Sequence, residues 1–247
     1  GNVRLTASQA DGLSISGSGN VIIKSKSISA DTDLSDIDAT HIYFGKTGTT
    51  VNVASGATLT LNVDQLASTT IKGSGTTSIS DTIANLIADA GSHVSGSIDV
   101  NVKDSASVSD LTTIQSYTSG TLSHSTVEDT VANLLADAGT YTAGHDVIVT
   151  DVATIAELTA IDGYTSGTIE YVLAGIQDTT ANVIADGGVY CADHTVTLTD
   201  AASIADLTTI DAYTGTTLVY SVAGVSDTAA NLIADAGTYV TGSIDVT

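Results

Sequence analysis

One nine-residue phrase occurs four times in this chain, with an Asp at each of its ends. The first copy reads Asp-Thr-Ile-Ala-Asn-Leu-Ile-Ala-Asp, and the copies begin at Asp81, Asp129, Asp178 and Asp227, so the spacings are 48, 49 and 49 residues. Repetition at a fixed period of this length is typical of solenoids and other repeat arrays. It favours a stack of similar layers over a globule with a single active-site pocket.

Each repeat divides into two halves that share one order of elements. A short β-rich run is followed by an Asp, a stretch with helix-like apolar spacing, a Gly and a second β-rich run. In the last copy the spacing places Ala230, Ile233 and Ala234 on one helix face, with Ser226 or Asp227 as the N-cap. Such short helices are unstable alone and must pack on neighbouring coils.

Composition agrees with thin, regularly stacked layers. Aromatic residues make up only 4% of the chain, and Pro, Trp and Met are absent. Val, Ile, Leu, Thr, Ala and Gly suit such layers. We therefore predict a mainly β protein, a right-handed β-solenoid with parallel in-register strands and short helical turns in each coil. Residues 1–80 are predicted to form coils of a variant repeat type, and residues 81–247 a solenoid of two-coil repeats of about 49 residues.

The chain is strongly acidic. It has 28 acidic residues against six basic ones, its formal net charge is -22, and no Lys or Arg follows Lys103. Nucleic acid binding requires a basic face that displaces counterions, so this partner is disfavoured. No run approaches the ~18 consecutive apolar residues of a membrane span, so membrane insertion is not expected. Cys191 is the only cysteine, which rules out an intrachain disulfide.

Three phrases carry a resemblance to known proteins. They are Ser-Asp-Thr-Ala-Ala-Asn-Leu-Ile-Ala-Asp from Ser226, Asp-Ala-Ala-Ser-Ile-Ala-Asp-Leu-Thr-Thr-Ile-Asp from Asp200, and Gly-Leu-Ser-Ile-Ser-Gly-Ser-Gly from Gly12. The chain resembles the repeat regions of very large bacterial surface and secreted proteins, including adhesins, biofilm-matrix proteins and S-layer-like proteins. The resemblance implies an extracellular or cell-surface β-solenoid rod in a calcium-containing medium. The glycine-rich nonapeptide calcium repeat of hemolysin-type toxins is absent, so its ligand geometry does not carry over.

The excess of carboxylates over basic residues leads to a metal hypothesis. Stacked coils would align equivalent Asp residues, and calcium takes about six to eight oxygen ligands in flexible geometry. Helix capping and solvated turns are the alternative interpretations of these Asp residues. The candidate calcium ligands are Asp31, Asp33, Asp36, Asp38, Asp89, Asp104, Asp137, Asp151, Asp186, Asp200 and Asp235.

Two other sets of residues recur at the repeat period. A structural Asn ladder, in which stacked amides bond to one another or to the backbone at a turn, is predicted for Asn85, Asn133, Asn182 and Asn231. Rings recur at His93, Tyr141, Tyr190 and Tyr239, and again at Tyr117, Tyr164 and Tyr213. These rings either pack between coils or form a face that binds a glycan.

The function predicted from these features is structural. No motif of a nucleophile with a base, a metalloprotease or a phosphate-binding loop is present, so the chain is not expected to be an enzyme. We predict an extracellular rod that self-associates end to end into a filament, fibre or surface layer stabilised by calcium. The alternative is an adhesin segment that binds a glycan or host surface. Ice binding is less favoured because the strand with Thr195, Thr197 and Thr199 has no equally Thr-rich counterpart in the other copies.

Overall fold

A computed structural model describes residues 1–39, 41–45, 48–171, 175–220, 222–242 and 244–247. The chain forms two compact units, unit 1 from Gly1 to Ser125 and unit 2 from Thr126 to Thr247. Each unit consists of short strands in parallel sheets with short helices between them, as the sequence predicts at this level.

Unit 1 contains the variant N-terminal region and the first copy of the repeated phrase. Its helices are α1 (Ala7–Ala10), α2 (Val63–Ser68), α3 (Ile83–Asp89) and α4 (Val108–Tyr117). Its strands are β1 (Asn2–Leu5), β2 (Ile15–Ser16), β3 (Asn20–Ile23), β4 (Ser27–Ile28), β5 (Thr32–Asp33), β6 (Ile37–Asp38), β7 (His41–Phe44), β8 (Thr50–Val53), β9 (Thr58–Leu61), β10 (Thr70–Gly73), β11 (Thr76–Asp81), β12 (Asp99–Val102) and β13 (Leu122–Ser123).

Unit 2 contains the other three copies of the phrase. Its strands are β14 (Thr126–Asp129), β15 (Asp146–Val149), β16 (Ile169–Glu170), β17 (Ile176–Asp178), β18 (Val196–Leu198) and β19 (Leu218–Val219). Its helices are α5 (Val131–Asp137), α6 (Ile155–Asp162), α7 (Thr180–Asp186), α8 (Ile204–Thr214) and α9 (Ala229–Ala234).

All pairings between these strands are parallel. Unit 1 has sheets in the orders β1-β3-β7, β10-β8-β4, β2-β6 and β13-β12-β11-β9-β5, and unit 2 has β14-β15-β16 and β17-β18-β19. The five-stranded sheet joins β9 and β5, which precede residue 80, to β12 and β13, which follow it. The two predicted regions therefore share one sheet across this boundary.

The core follows from the alternation of side chains along the strands and the helical period along the helices. Val100 and Val102 of β12 are buried, while Asn101 between them faces outward. Leu111 and Ile114 of α4 lie three positions apart, on one helix face, and are fully buried. The equivalent strand and helix residues of unit 2 are also buried, namely Val147, Val149, Val196, Leu198, Leu158, Ile161, Leu207 and Ile210.

Two predictions about the last helix are wrong. Thr228 is the N-cap of α9, since its side chain accepts the backbone N–H of Asn231, whereas Ser226 or Asp227 was expected. Ile233 was predicted to face the core and is 80% exposed. The side of the helix that packs inward passes through Leu232 instead, whose counterparts Leu86, Leu134 and Val183 are buried in the other copies.

Candidate functional site

The repeated Asp residues bind helix N-termini in a neighbouring segment of the chain. Asp104 accepts a hydrogen bond from the N–H of Ile83, the first residue of α3, at 2.9 Å. Asp200 accepts both the N–H of Thr180, the first residue of α7, at 2.6 Å and its hydroxyl at 2.9 Å. Asp151 binds the first N–H of α5 in the same way at 2.7 Å. These three predicted calcium ligands therefore satisfy helix amides that have no partner inside their own helix.

A second group of Asp residues connects two helices at once. Asp178 Oδ2 accepts the first N–H of α6, 23 residues earlier, at 3.0 Å. Its Oδ1 accepts the N–H of Thr179, the N-cap of α7, at 2.8 Å. Asp227 repeats the arrangement toward α8, and Asp81 binds the first N–H of α2. In these three phrases the starting Asp thus caps the preceding helix, and in each of them it also accepts the N–H of the N-cap residue of its own helix.

The four Asn residues of the predicted ladder each have a carboxylate partner within their own repeat. Their Nδ2 atoms donate to the Asp four residues earlier at 2.7 or 2.8 Å, in the pairs Asn85–Asp81, Asn133–Asp129, Asn182–Asp178 and Asn231–Asp227. Each Asn therefore orients a carboxylate that also serves a helix N-terminus.

The Asp at the end of each phrase closes the turn that follows the helix. Asp137 is buried and accepts the backbone N–H groups of Tyr141 and Thr142 at 3.0 Å, and its Oδ2 also accepts the Thr142 hydroxyl at 2.9 Å. Asp89, Asp186 and Asp235 accept the backbone N–H groups four and five residues later in the same manner. These four predicted calcium ligands hold the local turn.

The acidic cluster at residues 31–38 does not act as one group. Asp31 accepts the N–H of Thr58 at 2.8 Å, and Asp33 accepts the N–H of Ser35 at 2.9 Å. Asp36 forms an ion pair with Lys103 at 2.6 Å. The remaining predicted ligand of this cluster, Asp38, lies exposed in β6.

Hydrogen bonds to the carboxylates favour their charged forms. Burial alone would raise the pKa of Asp89, but bonds from the N–H groups of Val94 and His93 and from the His93 ring outweigh it and lower the pKa. The Asn231 amide and the N–H groups of Thr228 and Ile204 lower the pKa of the half-buried Asp227. At these two positions the hydrogen bonds therefore favour the ionised carboxylate.

Aromatic rings cluster beside the phrase that begins at Asp178. The Tyr171 ring lies edge-on to the His194 ring with centroids 4.1 Å apart, and its hydroxyl donates to the carbonyl of Tyr190 at 2.9 Å. Tyr220 and Tyr239 repeat part of this arrangement beside the next phrase, where the Tyr220 hydroxyl donates to the Tyr239 carbonyl at 3.0 Å. Burial raises the pKa of Tyr171 to about 12 and lowers that of His194. The buried His194 Nδ1 has no hydrogen-bond partner among the described residues. Nearby, burial raises the pKa of Cys191 to about 12.

A polar depression crosses the outer face of the five-stranded sheet. It encloses about 390 Å³ between two rows of short side chains. We call it the sheet trough, and its walls are Thr60, Ser78 and Asp99 on one side and Ser80, Asn101 and Ser123 on the other. Alternation along the strands places these side chains on the face opposite the buried Ile79 and Val100. The repeat pattern did not predict that short polar side chains would meet here and leave a trough.

Within the described ranges, no group of three or more His, Cys, Asp or Glu side chains is arranged to hold a metal ion. Calcium binding thus stays a prediction. No helix of the described residues is both long and apolar enough to cross a bilayer.

Comparison with known proteins gives no relative. No protein-family model, curated protein or solved structure is significantly similar to this chain.

Proposed function

We propose that this chain is a structural repeat protein of the extracellular space, built as a right-handed β-solenoid. It would serve as a rod, a self-assembling fibre or an element of a surface layer. The observation that carries the proposal is the set of carboxylates that bind helix N-termini 18 to 23 residues away in the chain.

These bonds are suited to a mechanical role. Each one joins two successive strand–helix segments, in addition to the backbone bonds of the parallel strands. A hydrogen bond to a charged group contributes about 1.5–3 kcal/mol when it is well shielded from water, and less when exposed. Repetition of such bonds along the chain would distribute resistance to extension over many layers.

The role proposed here for calcium differs from the one expected from the sequence, in which calcium is the main partner of the Asp side chains. Most candidate ligands accept backbone N–H groups, so the folded segments have their own partners for these oxygens. A carboxylate that accepts one or two hydrogen bonds still has free lone pairs. We propose that calcium binds these remaining acceptors and reduces the mutual repulsion of a chain with a net charge of -22.

Small-angle scattering and negative-stain imaging of the full chain, with calcium or with chelator, test the proposal. A compact globule of 247 residues has a radius of gyration of about 18 Å. We expect a clearly larger radius and elongated particles, with longer filaments as protein concentration rises in calcium. A radius near the globular value at every concentration would refute both the rod and its assembly.

A further inference from the structure

We propose that the sheet trough binds a neutral oligosaccharide, a binding role that goes beyond the structural function proposed above. The trough lies within unit 1, where β9, β11, β12 and β13 lie side by side in register. Its floor is the strand backbone at Ile79 and Val100, whose side chains are buried in the core. A volume of about 390 Å³ lies in the range of small-molecule sites.

The lining chemistry selects hydroxyl-rich ligands. The walls present hydroxyl groups, an amide and a carboxylate, so they contain both hydrogen-bond donors and acceptors. A sugar hydroxyl can also donate and accept, and a neutral sugar matches this mixture. None of the described residues that line the trough is Lys or Arg, whereas Asp33 and Asp99 do line it, so an anionic ligand would be repelled.

The polar groups are already held in place. The Oγ atoms of Thr60 and Ser78 lie 2.7 Å apart, and the Asn101 amide donates to Ser80 Oγ at 2.9 Å. Ser123 Oγ donates to Asn101 Oδ1 at 3.1 Å. Fixed short side chains on strands lose little conformational entropy when a ligand binds, which favours recognition.

Unit 2 has equivalent positions without the same surface. Strand register makes Glu128, Ile148 and Glu170 the counterparts of Ser80, Asn101 and Ser123. The two Glu side chains are longer and charged where unit 1 has Ser, and Ile148 is apolar where unit 1 has an amide. The chain itself thus supplies the substitutions that should close the trough.

The test is isothermal titration of the full chain with cellohexaose, maltohexaose, laminarihexaose and, as the anionic probe, oligogalacturonate. We expect at least one neutral probe to bind and the anionic probe not to bind. The single variants Asn101→Ile and Ser123→Glu should each weaken binding about tenfold or more. Thr197→Ile, an outward strand position in unit 2, is the matched control and should bind as the unmodified chain does.

Three results would overturn the proposal: no binding of any neutral probe, unchanged binding by both trough variants, or preferential binding of oligogalacturonate. Thermal melts establish that each variant folds, and having two independent trough variants keeps the test decisive if one unfolds. The radius of gyration is unaffected by the trough, so failure here is distinguishable from failure of the proposed rod.

Discussion

Removal of one intersegment carboxylate should destabilise unit 2 measurably. Asp200 accepts two hydrogen bonds from Thr180 at the start of α7, at 2.6 and 2.9 Å. Truncation in Asp200→Ala leaves these donors to water and removes a favourable charge from the helix N-terminus. Because Asp200 is exposed, we take the lower part of the range for capping and charged hydrogen bonds, about 1–2 kcal/mol.

The assay is thermal and urea unfolding followed by circular dichroism. For a domain of this size, about 1 kcal/mol corresponds to a shift of roughly 2–4 °C, so Asp200→Ala should lower the Tm by about 3–6 °C. Asp211→Ala is the matched control because it removes the same charge from an exposed position of α8. Asp200→Asn, which keeps an acceptor but loses the charge, should fall between them. Equal melting of Asp200→Ala and Asp211→Ala would refute the proposed role of the intersegment bonds.

Four further predictions follow from the same contacts. The variant Thr142→Val should lower the free energy of unfolding by about 1 kcal/mol because Asp137 loses a hydroxyl donor. Adding Tyr141→His to this variant should recover part of the loss. Urea titrations of the single and double variants measure both effects. Stability should decrease as pH falls below about 6.5, the ordinary pKa of His, because the folded pKa of His194 is lowered and the unfolded chain binds the proton first. His194→Phe should remove that part of the pH dependence, and an unchanged slope would contradict it. The Cys191 thiol, whose pKa is raised to about 12, should react with a thiol reagent only on unfolding; rapid native labelling would be inconsistent with its burial. Calcium should raise the Tm relative to chelator, and coincident melts would exclude calcium stabilisation.

Sequence periodicity predicts the parallel pairing and the short helices of this chain because both depend on local patterns. Val100 and Val102 alternate with outward residues, and the helical residues Leu111 and Ile114 recur at three positions. The helix N-terminus that each Asp binds depends instead on the number of residues in the chain between that Asp and the helix that comes to lie beside it. Asp104 meets Ile83 after 21 residues and Asp178 meets Ile155 after 23. No local pattern fixes these distances.

Some signals for the site were present in the sequence. Asp81 and Asn85 are four residues apart, the spacing at which side chains on a helical turn meet. Asp89 ends a helix, where the helix dipole disfavours a negative charge, yet an Asp occurs there in all four copies. Such a repeated unfavourable placement indicates a specific partner. The backbone N–H groups of His93 and Val94 are that partner.

The copies also compensate for one another's substitutions in a way that only the contacts reveal. Buried Asp137 has a third donor in the Thr142 hydroxyl, at 2.9 Å. In the first copy Val94 occupies the equivalent position and has no hydroxyl, but the His93 ring binds Asp89 at 2.7 Å. The two copies thus supply a third donor to the same buried carboxylate from different side chains, which offsets part of the cost of removing the carboxylate from water. In the fourth copy Asp235 is also buried and accepts the backbone N–H groups of Tyr239 and Val240. The two backbone bonds are therefore the constant feature of this turn, and the side-chain donor varies from copy to copy.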